Sequence, residues 1–432
     1  MIDPKLITYA KKKTDQFEFY WTEQEDLSVQ VQNNAVDFVS EGTSTGFGVR
    51  VLLDGKLGFA STLRVDHYEE CIDQAIKIAK LNVKDPLFKR FPSAAKYASV
   101  QTLYPKLKQL DGDAIAEFLK EYFAFVKEQD PALKVSTAAY EKSISHLHIV
   151  NSEGVNASAS FGANSFSHEL VKGTDALGFG EAELLPLSVD MVKPHLERFL
   201  SLFPKEKVKT QTLPLLLHPD ALGSLLSEAF TFAADAEEVR LKKSFFAGKL
   251  GKQLFDPKFS LLDTALVPGK YASRPFDDEG VASQDLPLVE KGVLKNYLYS
   301  SYEAGIAGKQ STGHAHRSYG SLPTVGPNNW IVAPGKDSFS DILGSLKKAV
   351  YVKQLLGTHT IKEATGEFSL GVYEGNLISN GNVQSGIKDG MVVGNVFELL
   401  KDITALSKDV LHAGGGFYLP YVLFPSIKLV GE

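Results

Sequence analysis

The chain has 432 residues, 44% hydrophobic and 23% charged, enough for roughly two or three compact domains and too apolar for a disordered chain. A formal net charge of −6, without a Lys/Arg stripe or a zinc-finger cysteine pattern, gives no field that would draw in a phosphate backbone, so direct nucleic-acid binding is disfavoured. The single cysteine, Cys71, leaves no disulfide within the chain. Met1–Lys13 lacks the apolar core of a signal peptide, and no stretch approaches ~18 uncharged apolar residues, so a cytoplasmic protein outside the membrane is expected.

After a short amphipathic N-terminal helix, Phe17–Trp21 and Leu27–Gln32 alternate with a period of two, as half-buried strands do. Gly46–Leu53 and Lys56–Ala60 flank Asp54-Gly55, a hairpin signal because both residues tolerate the positive φ of a type I′ turn. These four segments read as one antiparallel sheet. Tyr68, Cys71, Ile72, Ala75 and Ala79 recur at helical spacing and would cover it, with Cys71 as a buried structural thiol. Pro86, Pro92 and Pro105 mark residues 85–106 as an extended surface connection. Ile115, Phe118, Leu119, Tyr122 and Val126 predict a second covering helix with Asp113 as N-cap.

Three more strands are expected at Leu133–Tyr140, Ser143–Val150 and Ala157–Phe161, and a helix near residues 189–203. The charged segment Phe203–Thr210 is the preferred boundary, giving an N-terminal α+β domain over residues 1–204 and a strand-rich C-terminal domain over 205–432. In the latter, Leu213–Leu217 reads as a strand and Ala221–Arg240 as one long helix, followed by many short strands punctuated by glycine. The fold class is α+β: an antiparallel sheet with covering helices, then a sheet or barrel packed around a central helix.

The central helix carries an apolar stripe of Leu222, Leu225, Leu226, Ala229, Phe230 and Ala233, so it is buried whatever its chemistry. Glu228 falls off that stripe and reads first as a solvated glutamate. His314-Ala-His316 would put two imidazoles on one face of an extended segment, but two ligands do not make a zinc site. His168-Glu169 fails as a zincin motif because Lys172 stands where the second histidine belongs. His218, His359 and His412 read as structural. There is no Gly-x-Ser-x-Gly elbow, Gly414-Gly-Gly416 lacks the lysine of a phosphate loop, and Asp277-Asp-Glu-Gly280 lacks the later ligands of a calcium loop.

Several segments fall together in one order: Glu41–Arg50 with Asp54–Ala60, Leu225–Phe232, Arg274–Val281, Val289–Leu298, Ser311-Thr-Gly313 and Val332–Lys336. As an ordered set they resemble the TldD/PmbA family, also called modulators of DNA gyrase, over most of the chain. In that family, TldD-type chains carry His-Glu-x-x-x-His and a cysteine ligand near the C-terminus. Here Ser227 and Phe232 stand at the histidine positions, only Glu228 survives, and the C-terminal stretch reads His412-Ala-Gly-Gly-Gly-Phe417. Serine is a poor zinc ligand and phenylalanine offers no lone pair.

The resemblance therefore implies a noncatalytic TldE/PmbA-like subunit, with no catalytic residues and no metal of its own. A TldD-like partner would supply zinc and the general base for hydrolysis of unfolded or short peptides. A homodimer is also compatible with this reading. His314, His316, Arg317 and Asp278 are the candidate peptide-contacting residues. A regulatory gyrase-binding protein without hydrolytic function is the alternative.

Overall fold

The computed structural model describes residues 1–432. Helix α1 (Pro4–Lys11), capped by the Asp3 carboxylate, leads into a six-stranded antiparallel sheet. Its strands are β1 (Phe17–Gln32), β2 (Ala35–Leu53), β3 (Lys56–Thr62), β4 (Lys134–Asn151), β5 (Asn156–Lys172) and β6 (Asp175–Glu183), in the order β3-β2-β1-β4-β5-β6. Asp54 and Gly55, with φ of 51° and 78°, make the β2–β3 turn that the sequence signals.

Two pairs of expected strands are single long strands, β1 and β4. The polar runs between the paired segments, Glu23–Asp26 in β1 and Glu141-Lys142 in β4, contain no glycine, proline or asparagine to turn the chain. They are polar because the sheet there extends past its covering helices: Glu25, Asp26 and Glu141 are exposed while remaining paired in the ladder.

Helix α2 (Tyr68–Leu81) buries Tyr68, Cys71, Ile72, Ala75, Ile76 and Ala79 against β2 and β3. Residues 82–104 form an extended connection without regular structure, as the prolines indicate. A single turn, α3 (Pro105–Lys108), precedes α4 (Gly112–Gln129). Asp111, not Asp113, caps α4: its backbone is extended and its carboxylate accepts the Ala114 N–H at 2.9 Å. Asp113 sits in the first turn, where its charge complements the helix dipole. Helix α5 (Val189–Leu200) completes the core beneath α4 and the far half of the sheet.

The remaining strands are β7 (Lys205–Lys207), β8 (Gln211–Leu217), β9 (Leu261–Thr264), β10 (Asp285–Glu290), β11 (Val293–Leu294), β12 (Ala315–His316), β13 (Thr324–Val325), β14 (Asn329–Val332), β15 (Lys348–Leu356), β16 (Glu367–Ser379), β17 (Asn382–Lys388), β18 (Met391–Asn395), β19 (Ala405–His412) and β20 (Phe417–Val430). Five of them close a barrel: β8 pairs β15, β15 pairs β16, β16 pairs β18, β18 pairs β20 and β20 returns to β8. Strand β20 also pairs β14 and β19, which explains the unbroken apolar run near its start: Leu419, Val422 and Phe424 are core residues.

Helix α6 (Pro219–Ala234) packs on β15 and β20 and buries ten residues, among them Leu222, Leu225, Leu226, Ala229 and Phe230. His218 caps it, Nδ1 accepting the Asp220 N–H, and Pro219 opens its first turn. The single helix expected to Arg240 is broken at Asp235, whose extended backbone ends α6 and whose carboxylate caps α7 (Ala236–Arg240). The apolar period continues across this break, so only the aspartate's capping geometry ends the first helix.

Candidate functional site

Two buried ionic clusters join the halves of the molecule. On one side, Arg198 of α5 donates to Glu374 of β16 at 3.0 and 2.7 Å and to Asp220 of α6 at 2.7 Å. On the other, Arg50 of β2 makes a two-pronged contact with Glu18 of β1, both at 2.9 Å, and reaches Glu279 at 2.9 Å. Arg317 donates to the same Glu18. Glu18 and Glu279 are fully buried, so each carboxylate depends on its guanidinium partners. Gly48 of β2 allows this approach: a Cβ there would lie 2.4 Å from the Tyr319 carbonyl.

The acidic turn at residues 277–280 is part of this joint, not a surface loop. Asp277 accepts the N–H groups of Glu279 and Val281 at 2.9 Å and of Ala315 at 3.0 Å, tying the turn to β12. Asp278 accepts the Arg317 N–H at 3.0 Å and pairs with Arg274. Burial works against its ionised form, yet the Arg274 guanidinium holds Asp278 below the usual carboxylate range. Tyr20 of β1 donates weakly to Asp278 at 3.4 Å and lies under Arg317, 4.5 Å from ring centre to guanidinium carbon.

Between these groups lies a cleft of about 230 Å³, walled by Tyr20, Thr22, Ser145, Leu147 and Phe161 of the N-terminal sheet and by Tyr271, Ser273, Arg274, Asp278 and His316 of the other half. Of the four residues expected to contact peptide, Asp278 and His316 line it. His316 is kept neutral: burial first, then Arg274, push it down to about 4. Arg317 is beside the cleft with its guanidinium sealed against Glu18. His314 does not face it; fully buried, it contacts Thr312 at 2.9 Å and Asp263 at 3.0 Å, beneath the Trp330 indole, which donates to that same aspartate. Strand alternation would place the two histidines on one side only if the strand ran through both, and β12 begins at Ala315, leaving His314 outside it. Tyr20 and Arg274, which sequence reasoning passed over, are the principal polar walls. Their long-range partners carry no local signal.

Helix α6 holds the other three residues of interest. Ser227 is exposed, Glu228 and Phe232 are half-buried, and Glu228 makes no ion pair. The glycine-rich loop at residues 413–416 packs on the same helix, a Cβ on Gly223 lying 3.4 Å from the Ala413 methyl group. A zinc ion held between helix and loop would need three or four nitrogen, sulfur or carboxylate donors, and Glu228 supplies one, leaving the others to Ser227, Phe232 and Ala413. A hydroxyl, a benzyl ring and an alanine methyl group do not supply them, and the only thiol, Cys71, is sealed in the N-terminal core, where burial pushes it up to about 12. The residues present do not fit zinc at this position.

Residues 210–431 match the PmbA/TldA metallopeptidase C-terminal domain, and residues 17–79 match domain 1 of the same metallopeptidases. The chain belongs to the PmbA/TldD family. It is 31% identical over 99% of its length to an uncharacterised protein of Methanocaldococcus jannaschii, covering 98% of that protein. A metalloprotease of the same organism is 25% identical, with 89% of this chain and 88% of the relative aligned. Among solved structures, TldE from Thermococcus kodakarensis superposes with a TM-score of 0.91 at 26% identity, covering 99% of both chains. A proposed DNA gyrase modulator of Thermotoga maritima shares the fold, with a TM-score of 0.89 at 24% identity and 99% of both chains covered. The α+β architecture of the PmbA/TldD family thus extends over the entire chain, and no helix is long and apolar enough to cross a membrane.

Proposed function

We propose that this PmbA/TldD-family chain is a noncatalytic, TldE-like subunit of a cytoplasmic zinc metallopeptidase, and that a TldD-like chain brings the metal and the general base. The observation that supports this reading is the make-up of α6: Ser227 and Phe232 stand where the family's zinc-ligating histidines would, and the loop that packs on Gly223 of the same helix carries no thiol. A base without metal-bound water has nothing to activate. What remains is a well-formed joint between two halves and a half-apolar cleft lined by Tyr20, Phe161, Arg274 and Asp278. Such a cleft suits an extended peptide, held by backbone and aromatic contacts without demand for one sequence.

The reading also requires an association surface. Strand β2 leaves Ala35–Thr45 on a free sheet edge, beyond the reach of β3, with Val36, Phe38 and Val39 half-exposed or more. Free apolar edges of this kind are covered in stable assemblies. Mixing the purified chain with a TldD-like chain should give a heteromer by sedimentation, and Val36→Glu/Phe38→Glu should weaken it. Chains that stay separate at high micromolar concentration would count against the subunit role.

A further inference from the structure

Behind Tyr271 of the cleft, and joined to the loop that packs on α6, lies a cluster of titratable side chains with no assigned function. Glu181 and Glu183, two apart on β6, point to the same side of the sheet, and His412 at the end of β19 closes on them from the other half of the molecule. One donor atom from each of the three lies within 4.8 Å of the others, and all three residues are partly buried. We propose that Glu181, Glu183 and His412 form a binding site for a divalent transition-metal cation, bridging the two halves of the chain.

The hydrogen bonds around the cluster leave one ring nitrogen facing the carboxylates. His412 is held by its far nitrogen: Nε2 donates to the Gly415 carbonyl at 2.7 Å. With Nε2 committed to that carbonyl, Nδ1 faces the carboxylates, shut off from solvent and with no hydrogen-bond partner. It stands 3.5 Å from Glu183 Oε1. Three donor groups that converge without a hydrogen bond among them are satisfied by one positive charge at their centre. The spacing is close to the ~3.4 Å edge of a tetrahedron with metal–ligand bonds near 2.1 Å. An imidazole that donates one N–H to a backbone carbonyl and offers the other nitrogen is the usual arrangement of a metal-ligating histidine.

A second chain of bonds orients Glu181. Tyr122 is fully buried and its only hydrogen-bond partner is His168 Nδ1, at 2.6 Å, so its hydroxyl must donate there. The proton on His168 then lies on Nε2 and is given to His195 Nδ1 at 3.1 Å. The other nitrogen of that ring, His195 Nε2, stands 3.3 Å from Glu181 Oε2. His195 is 6% exposed. It is a positioning residue that steadies one carboxylate, not a ligand. The His412 ring is itself stacked on Tyr418, with centroids 4.8 Å apart, and packs near Tyr271.

Two carboxylates and one imidazole neutralise a divalent ion and leave coordination positions open, a donor set suited to zinc, cobalt or manganese. The donors come from β6 and β19, and none from α6. The competing arrangement is a protonated His412 held between the two glutamates, with the Lys270 ammonium, which senses Glu183, as neighbour. A cation binder and an imidazolium bridge respond oppositely to added metal.

The test is titration of the full-length, chelator-stripped chain with Co²⁺ followed by visible absorption, with Zn²⁺ and Mn²⁺ as competitors. One equivalent is expected to bind with a d–d spectrum and to raise the midpoint of thermal unfolding. His412→Phe and Glu183→Gln should each weaken binding at least tenfold and His195→Phe by less than that, while Glu228→Ala leaves it unchanged. The thermal midpoints without metal verify that each variant is folded, and Glu181→Gln serves if either ligand variant is not. No binding above a bovine serum albumin-free blank, or binding indifferent to both His412→Phe and Glu183→Gln, overturns the site. Loss of binding in Glu228→Ala would instead overturn the reading of α6.

Discussion

Replacing Arg50 by methionine should damage the joint between the two halves more than any comparable surface change. Arg50 is 3% exposed and donates three charge-assisted hydrogen bonds, two to Glu18 and one to Glu279, all at 2.9 Å. With Arg317 the group contains two guanidinium and two carboxylate groups, so the quartet balances. Removing Arg50 leaves one uncompensated negative charge on a buried carboxylate. Glu18 keeps Arg317, but Glu279 keeps only the Ser301 N–H. Breaking a buried pair from one side costs about 3–5 kcal/mol, a large part of the ~5–15 kcal/mol that typically holds a protein folded.

Part of that cost is the stranded charge, so Arg50→Met/Glu279→Gln should recover on the order of 1–2 kcal/mol relative to Arg50→Met. The two tryptophans report separately on the halves, Trp21 from β1 and Trp330 from β14. Urea unfolding of single-tryptophan forms, Trp21→Phe or Trp330→Phe, would show both transitions moving to lower denaturant. Unchanged midpoints for Arg50→Met in both reporters, or a double variant less stable than the single one, would refute the argument.

Two further outcomes follow from burial. His168 is pushed down to about 3, by burial first and then by the charge of His195, whereas an unfolded histidine titrates near 6.5. Between those values the unfolded chain binds more protons, so stability should fall as pH falls from 6.5 toward 4, by about 1.4 kcal/mol for each unit; His168→Gln should flatten that part of a urea-midpoint profile, and an unchanged slope would contradict it. Cys71, 6% exposed and raised to about 12, should react with a disulfide reagent on the order of a hundredfold more slowly in the native chain than in denaturant; rapid native labelling would show that α2 opens.

What the sequence made legible was local. Asp54-Gly55 announced its turn, the stripes of α2 and α6 announced their buried faces, and the prolines of residues 85–106 announced a connection without regular structure. Strand continuity was not legible in β1 and β4, because polar residues on the uncovered part of a long sheet look the same as a break between two strands. The end of α6 was hidden for a similar reason: the apolar period runs on past Asp235, and only its side-chain cap stops the helix. In the sites, the residue types were visible and their meetings were not. Arg50 and Glu279 are 229 positions apart, and His412 looked like an ordinary structural histidine until β19 brought it beside Glu183. His314 and His316 show the converse, two positions apart in sequence yet separated into core and cleft.

The most direct measurement of the subunit reading is cleavage of an unfolded protein substrate by the chain alone, by a TldD-like chain, and by their mixture, each with zinc present. The account predicts no hydrolysis by this chain, chelator-sensitive hydrolysis by the mixture, and the same rate in the mixture when this chain carries Glu228→Ala. Chelator-sensitive cleavage by this chain alone that disappears in Glu228→Ala would contradict it.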